Sequence, residues 1–528
     1  VWVQLWRPAD GSQGRQGTDA RGDTFIGVEN VIGTSGNDSI AGDDGANVLD
    51  GGAGNDNLRG RGGNDTVHAG EGNDTVGSLF DGSTDNLWGG LGNDLIIYNG
   101  LYIGNLDGTA GQPDYGMRIN LSTGVSQLLS DNRIVDYLYG FENAEGSTQA
   151  DILIGTHGTE NNSETGANRL YGAGGNDTFI GGGGSDTMDG GDGIDTVDYS
   201  AAPDAIWVQL FQTTEPQGRE GSYAIGDRFI GIENVIGTAG NDKIAGDAGN
   251  NVLEGGDGND TLNGWEGTNT IRGGYGDDTV LVTSAATETI FGGYGADVVQ
   301  FNGATASQMA IRDLGDGWEV TGAGLGTRTL YGIERIEFTD KSWLIGTSAA
   351  DTLTGGGGDD GFLGSLGADR FVGGDGTDTV DYSHTSGPIW VQLFQTPNLQ
   401  GREGSYALGD TFVGIENVIG TAGNDSIAGD AGNNTLEGGD GNDTLNGREG
   451  NNVIRCGSGD DIVLVSLAAT ETIFGGYGTD VVQFTTVSRG QMTVNRITDG
   501  WEVSGGGLGT RTLFGVERLQ FSDTSVYL

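Results

Sequence analysis

The sequence predicts an all-β solenoid, and three observations predict it. Glycine supplies 106 of the 528 residues and proline only 6. One apolar residue recurs every nine positions, and whole modules recur at a much longer interval. A helix does not place one apolar residue in nine, so the pattern calls for short strands separated by Gly/Asp turns. Stacked repeats of this kind bury a continuous core that one repeat alone cannot bury.

The short period reads G-G-x-G-x-D-x-U-x, with an apolar residue at the eighth place. Gly237-Thr-Ala-Gly-Asn-Asp242-Lys-Ile244-Ala is followed by Gly246-Asp-Ala-Gly-Asn-Asn251-Val-Leu253-Glu and then by Gly255-Gly-Asp-Gly-Asn-Asp260-Thr-Leu262-Asn. About thirty copies occur, far beyond chance.

In chain order, residues 1–32 form a β-rich linker or cap. Its Val1-Trp2-Val3-Gln4-Leu5-Trp6 matches Ile206-Trp207-Val208-Gln209-Leu210-Phe211, so the chain reads as starting mid-module, a fragment of a longer protein. Residues 33–98 are the first nonapeptide block, with Ile40, Leu49, Leu58, Val67, Val76, Leu87 and Ile96 at the eighth places. A β-rich linker at 99–145 precedes the second block at 146–198. The linker at 199–236 alternates apolar residues over Ile206–Phe211, a strand with one buried face. The third block spans 237–300. In the following cap, 301–345, Gly315-Asp316-Gly317 marks a hairpin turn between Met309–Leu314 and Trp318–Thr321. A fourth block at 346–381, a linker at 382–419, a fifth block at 420–483 and a second hairpin cap at 484–528 complete the chain. The intervening segments are expected to cover open roll ends, because a solenoid otherwise exposes apolar ends and unpaired strand edges. The long period is 183 residues: Ile206-Trp207-Val208-Gln209-Leu210 returns as Ile389-Trp390-Val391-Gln392-Leu393, and Gly326-Thr-Arg-Thr-Leu-Tyr-Gly-Ile-Glu334 as Gly509-Thr-Arg-Thr-Leu-Phe-Gly-Val-Glu517.

The formal charge is −51, and Lys243 and Lys341 are the only lysines. Such a chain does not bind nucleic acid or insert into an anionic membrane by charge; divalent cations are its natural partners. The acids also sit in register. Glycines at the first, second and fourth places allow positive φ and let carbonyls gather, and the sixth-place carboxylate joins them. Ca2+ takes six to eight hard oxygen ligands in flexible geometry, which two stacked loops can supply and one cannot. One apolar side chain per nine residues is too little against a backbone entropy of about 1–2 kcal/mol per residue. Folding and Ca2+ binding are therefore expected to be one event.

These residues resemble the RTX (repeats-in-toxin, hemolysin-type calcium-binding repeat) family over the five blocks. The resemblance implies a right-handed parallel β-roll with eighteen residues per turn and multiple Ca2+ ions between loops two nonapeptides apart. It also implies type I secretion of an unfolded, Ca2+-free chain that folds outside a bacterial cell. Carried over position by position, the metal ligands are Asp38, Asp56, Asp65, Asp74, Asp85 and Asp94 in the first block and Asp151, Asp177, Asp186 and Asp195 in the second. The third supplies Asp242, Asp260, Asp278 and Asp297, the fourth Asp351, Asp360, Asp369 and Asp378, and the fifth Asp425, Asp443, Asp461 and Asp480. The sequence departs from the pattern at Asn47, Asn168, Asn251, Asn269, Asn434, Asn452, Glu288 and Glu471. With half a turn per nonapeptide, the third and fifth blocks carry aspartates on one edge and asparagines with a glutamate on the other. The asparagine edge, which brings no charge against Ca2+, is expected to be weakly occupied or metal-free. The fourth block should load both edges.

Other motifs are discounted. Arg21-Gly22-Asp23 aligns with Ile225-Gly226-Asp227 and Leu408-Gly409-Asp410, so its Gly-Asp is module architecture. His68, His157 and His384 form no zinc spacing, no G-x-S-x-G elbow occurs, and the lone Cys456 replaces a first-place glycine as a tolerated substitution. Trp207, Trp390, Tyr275 and Tyr294 could form a sugar platform or pack a junction. The expectation is a non-enzymatic extracellular structural or adhesive protein: a surface layer, a filament or an adhesin. Such a protein would self-associate into a filament or sheet, and a polysaccharide or cell-surface group is a candidate partner. The alternatives are the non-catalytic repeat region of a secreted protease, lipase or alginate epimerase, or of a toxin.

Overall fold

The computed structural model describes residues 1–6, 19–78, 81–98, 115–156, 166–211, 216–217, 221–385, 387–394 and 404–528. His157 and parts of the linkers at 1–32, 99–145, 199–236 and 382–419 lie outside the described residues. Among the described residues there are strands and two short 3-10 turns, and no α-helix. They form two compact units, Val1–Arg272 and Gly273–Leu528.

In the first unit each nonapeptide contributes one short strand, and strands eighteen residues apart pair in parallel. Ser39–Ala41 pairs with Asn57–Arg59, and that with Thr75–Gly77. Alternate nonapeptides build a second ladder, from Asn30–Ile32 through Val48–Ala53 to Thr66–Glu71. Each strand thus serves as the crossover for the other ladder, which is how parallel pairing arises without helices. This is a parallel β-roll. Glycine makes its corners: Gly52 and Gly54 have φ of +98° and +111°, where a side chain is rarely tolerated. The eighth-place residues Ile40, Leu49, Leu58, Val67, Val76, Leu87 and Ile96 are all at most 1% exposed and form the thin core.

The linkers differ from simple end covers. Leu95–Ile97 pairs with Asn143–Glu145, which pairs with Arg169–Tyr171; likewise Thr196–Asp198 pairs with Asn234–Ile236 and that with Val252–Asp257. One ladder therefore runs on through each linker, and in the first linker Ile134–Tyr139 pairs in parallel with Asp85–Leu91 and Met117–Asn120 with Ile152–Ile154 on the other ladder. On the other ladder at 199–236, one sheet ends on Arg228–Ile230 while a new one starts with Trp207–Gln209.

The second unit repeats the scheme. Thr379–Asp381 passes through Asn417–Ile419 to Thr435–Asp440. The hairpin of 301–345 pairs Met309–Asp313 with Trp318–Gly322, closing at Asp313 opposite Trp318. Its third strand, Gly326–Tyr331, lies parallel to Ala286–Tyr294, so antiparallel strands cover that edge. The other ladder continues, from Val298–Phe301 through Arg335–Glu337 and an antiparallel Ser342–Ile345 to Gly361–Leu363. Met492–Ile497, Gly500–Gly505 and Gly509–Phe514 form the equivalent cover near the C-terminus.

Candidate metal centre

The roll stacks sixth-place residues over one another along each edge, and this sets their hydrogen bonds. The N–H of Asp38 donates to Asp56 Oδ1 at 2.7 Å, that of Asp56 to Asp74 Oδ1 at 2.7 Å, and that of Asp74 to Asp94 Oδ1 at 2.8 Å. In the second block the line runs Asp151–Asp177–Asp195, both bonds 2.7 Å. The fourth joins Asp360 to Asp378 at 2.8 Å, and the fifth runs Asp425–Asp443–Asp461–Asp480 at 2.8, 2.7 and 3.1 Å. In the third, Asp242 N–H donates to Asp260 and Asp278 N–H to Asp297, both at 2.8 Å.

Oδ1 is thereby satisfied; Oδ2 is not. In Asp56, Asp65, Asp74, Asp94, Asp177, Asp186, Asp195, Asp297, Asp360, Asp378, Asp443, Asp461 and Asp480, Oδ2 is buried without a hydrogen-bond partner. A buried orphan acceptor costs about 1–3 kcal/mol, more when charged, so a row of them marks a place built for something else. The backbone beside it supports that reading. A Cβ on Gly438 would stand 2.3 Å from Asp443 Oδ2 and 2.3 Å from the Cys456 carbonyl; one on Gly51 would stand 2.4 Å from Asp56 Oδ2 and 2.4 Å from the Ala69 carbonyl. The first-place glycine keeps open a space where a carboxylate of one loop meets a carbonyl of the loop stacked on it. Among the described residues no three His, Cys, Asp or Glu side chains converge. A cation here would take one carboxylate per loop and complete its shell with carbonyls, the donor chemistry of Ca2+.

Electrostatics agree. Burial, reinforced by neighbouring acids, pushes Asp56 and Asp480 up to about 6, Asp65, Asp177 and Asp443 to about 7, and Asp85 and Asp186 to about 8. A divalent cation beside these carboxylates would favour their ionised form and so offset both the burial and the mutual repulsion. Cys456 is fully buried and its thiol is pushed well above the ordinary range, first by burial and then by Asp461, which fits an inert substitution.

The edges begin and end in set ways. In the lead-in loops a Thr or Ser stands at the second place. Thr238 N–H donates to Asp242 Oδ2 at 2.5 Å and Ile206 N–H to its Oδ1 at 2.7 Å. Thr421 and Ile389 do the same for Asp425, and Ser147 and Met117 for Asp151. Thr34 and Thr347 each donate to Oδ2 of Asp38 and Asp351. In Asp369 the Oδ2 is held by Ser365 Oγ at 2.8 Å. Oδ2 of these aspartates, unlike those above, already has a donor.

Residues the sequence reading passed over close the far ends. The last N–H of an aspartate line goes to Glu142 (2.8 Å), Glu233 (2.8 Å), Glu334 (2.6 Å), Glu416 (2.9 Å) or Glu517 (2.7 Å). Their signal was a recurring Gly-x-Glu-Asn/Arg, as in Gly231-Ile-Glu233-Asn. Three other edges end on a buried Asp–Tyr pair: Asp136 with Tyr98 (2.7 Å), Asp227 with Tyr199 (2.5 Å) and Asp410 with Tyr382 (2.6 Å). This explains the Gly-Asp shared with the discounted tripeptide, whose own Asp23 is exposed.

The family model of the RTX calcium-binding nonapeptide repeat matches residues 23–58, 42–76, 163–197, 236–271, 263–281, 345–380, 411–445, 419–454 and 428–463. No curated protein matches the chain. Among solved structures it is similar to the extracellular lipase LipA from Serratia marcescens, at 18% identity and a TM-score of 0.14, over 54% of this chain and 37% of that one. It is also similar to a hyperactive, Ca2+-dependent, β-helical antifreeze protein from an Antarctic bacterium, at 13% identity and a TM-score of 0.13, over 94% of this chain and 91% of that one. The chain thus spans 37% of the lipase's length. Over these matched residues the chain carries RTX calcium-binding nonapeptide repeats, and these repeats bind multiple Ca2+ ions.

Proposed function

We propose that this chain is a non-catalytic, extracellular structural or adhesive protein whose modules fold on Ca2+ after secretion. The observation that carries this is the row of buried, unpartnered carboxylate oxygens stacked turn upon turn beside backbone carbonyls. The residues that would hold the ions are Asp56, Asp74 and Asp94; Asp65 and Asp85; Asp177 and Asp195, with Asp186 on the opposite edge; Asp260 in the first unit; Asp278 and Asp297 in the second; Asp360 and Asp378; and Asp443, Asp461 and Asp480. Bound there, Ca2+ supplies the charge that lets these carboxylates stay ionised inside the fold. Loops built mostly of carbonyls with one carboxylate each suit the weak affinities of extracellular modules, with Kd of about 10⁻⁴–10⁻³ M. Such a fold stays open where free Ca2+ is scarce and closes outside the cell. Among the described residues no helix is long and apolar enough to cross a membrane.

The module recurrence supports self-association into a filament or sheet, and the exposed stack of Tyr275 on Tyr294, 4.9 Å apart, supports a polysaccharide partner. The test is a Ca2+ titration of the full chain from excess chelator, followed by far-UV circular dichroism and light scattering. The expected result is little β signal in chelator, a cooperative gain by millimolar Ca2+, and growth in mass with protein concentration. An unchanged thermal transition after complete calcium removal would refute the folding claim, and a monomer at every concentration would refute the assembly.

A further inference from the structure

The second edge of the fifth block is built from Asn434, Asn452 and Glu471, with Arg511 against Glu471. Asn434 N–H donates to Asn452 Oδ1 at 2.9 Å, the bond the aspartates make. The other side-chain atom differs. Asn452 Nδ2 donates to the Gly447 carbonyl at 3.0 Å and to the Glu449 carbonyl at 2.9 Å. These are the first and third places of its own loop. In the third block Asn269 Nδ2 donates to the Gly264 and Glu266 carbonyls, both at 2.9 Å. Where an aspartate loop leaves an orphan oxygen among carbonyls, these loops place an N–H donor that uses the carbonyls up. A Ca2+ shell needs lone pairs, so the residues here do not fit the ion.

Arg511 completes the picture. Its Nε donates to Glu471 Oε2 at 2.6 Å, one terminal nitrogen to the Leu467 carbonyl at 2.9 Å, and the other to the Leu508 carbonyl. Arg328 does the same in the preceding module: 2.6 Å to Glu288 Oε2, 3.0 Å to the Ala286 carbonyl and 2.9 Å to the Ser284 carbonyl. Both arginines are at most 1% exposed. Each guanidinium thus gathers one carboxylate and two carbonyls, a cation's donor set, and meets it with positive charge and directed N–H groups.

We propose that Arg511 and Arg328 are tethered counter-ions that stand in for Ca2+, so that the Asn/Glu edges of the fifth and third blocks close without metal. This rests on the reading that the aspartate edges bind Ca2+. The recurring Gly-Thr-Arg-Thr-Leu then carries the charge for its own module.

The test counts bound Ca2+ per full-length chain by equilibrium dialysis in the wild type and in Asn434→Asp/Asn452→Asp. That double substitution frees the carbonyls of Gly447 and Glu449 and adds charge. The expected result is at least one additional bound ion. An unchanged count, with the variant folded, would mean that the edge already bound metal or cannot, and would overturn the inference while leaving the aspartate-edge reading intact. No bound ion in the wild type would overturn both. A second variant guards against misfolding. Arg511→Met leaves Glu471 and two carbonyls without their cation and should raise the Ca2+ midpoint of the circular dichroism transition at least threefold, with Arg511→Lys in between. An Arg511→Met midpoint equal to wild type would overturn the counter-ion role.

Discussion

Asp443 and Asn452 hold the sixth place of adjacent nonapeptides, and each accepts a backbone N–H on Oδ1 from the residue eighteen positions earlier. They part at one atom. Asp443 turns a buried, unpartnered Oδ2 toward the Cys456 carbonyl beside Gly438; Asn452 turns an Nδ2 that donates to two carbonyls of its own loop. The same backbone can therefore be closed by an external divalent cation or by N–H donors and a buried arginine. The comparison teaches that calcium dependence resides in the sixth-place side chain of each edge and not in the roll as a whole. The strands are common to both edges, so loss of metal from one edge still opens the core that both share.

The largest effect of a single substitution should come from that shared core. Leu445 is fully buried between the two edges, and Leu445→Ala should cost about 2–5 kcal/mol at saturating Ca2+, read by urea unfolding. A cost under about 1 kcal/mol would mean that the edges, not the core stack, hold the roll. Next is conversion of one edge type into the other. Asp443→Asn/Asp461→Asn should lower the bound-ion count by at least one while the chain still folds, because amides can take up the carbonyls as Asn452 does. An unchanged count would erase the distinction between the edges.

A smaller, graded effect is expected from pH. Burial pushes Asp65, Asp177 and Asp443 up to about 7, above the unfolded value near 3.9. A fold that raises a carboxyl's pKa binds protons more tightly than the unfolded chain does. Its penalty is fully present above the folded pKa and is relieved as pH falls from about 7 toward about 4. In chelator, acidification from pH 8 to pH 5 should therefore restore part of the β signal. In Ca2+ the proton competes with the ion, so the Ca2+ midpoint should rise over the same interval. Parallel behaviour with and without Ca2+ would show that these carboxylates do not face the metal.

Much of this was legible in the sequence because the nonapeptide is local. The strands, the eighth-place core, the hairpin turn at Gly315-Asp316-Gly317 and the alternation of aspartate with asparagine all follow from residues within one or two repeats. What was not legible depends on which loops stack after an insertion. Tyr199 meets Asp227, and Arg511 meets Glu471, across long stretches of chain whose length carries no register. The recurrence of Gly-Thr-Arg-Thr-Leu was visible, but only the parallel pairing of Ala469–Tyr477 with Gly509–Phe514 puts Arg511 beside Glu471. In the same way, nothing in the repeat pattern marks Thr238 and Thr421 as the residues whose N–H groups reach Asp242 and Asp425.

The most direct test locates the ions. Crystals of the full chain grown in Ca2+, measured at a long wavelength where calcium scatters anomalously, would show each bound ion as a peak. The account predicts peaks beside Asp443, Asp461 and Asp480 and none beside Asn434, Asn452 or the Glu471–Arg511 pair. Peaks of equal height along both edges of 420–483, or none beside the aspartates, would contradict it.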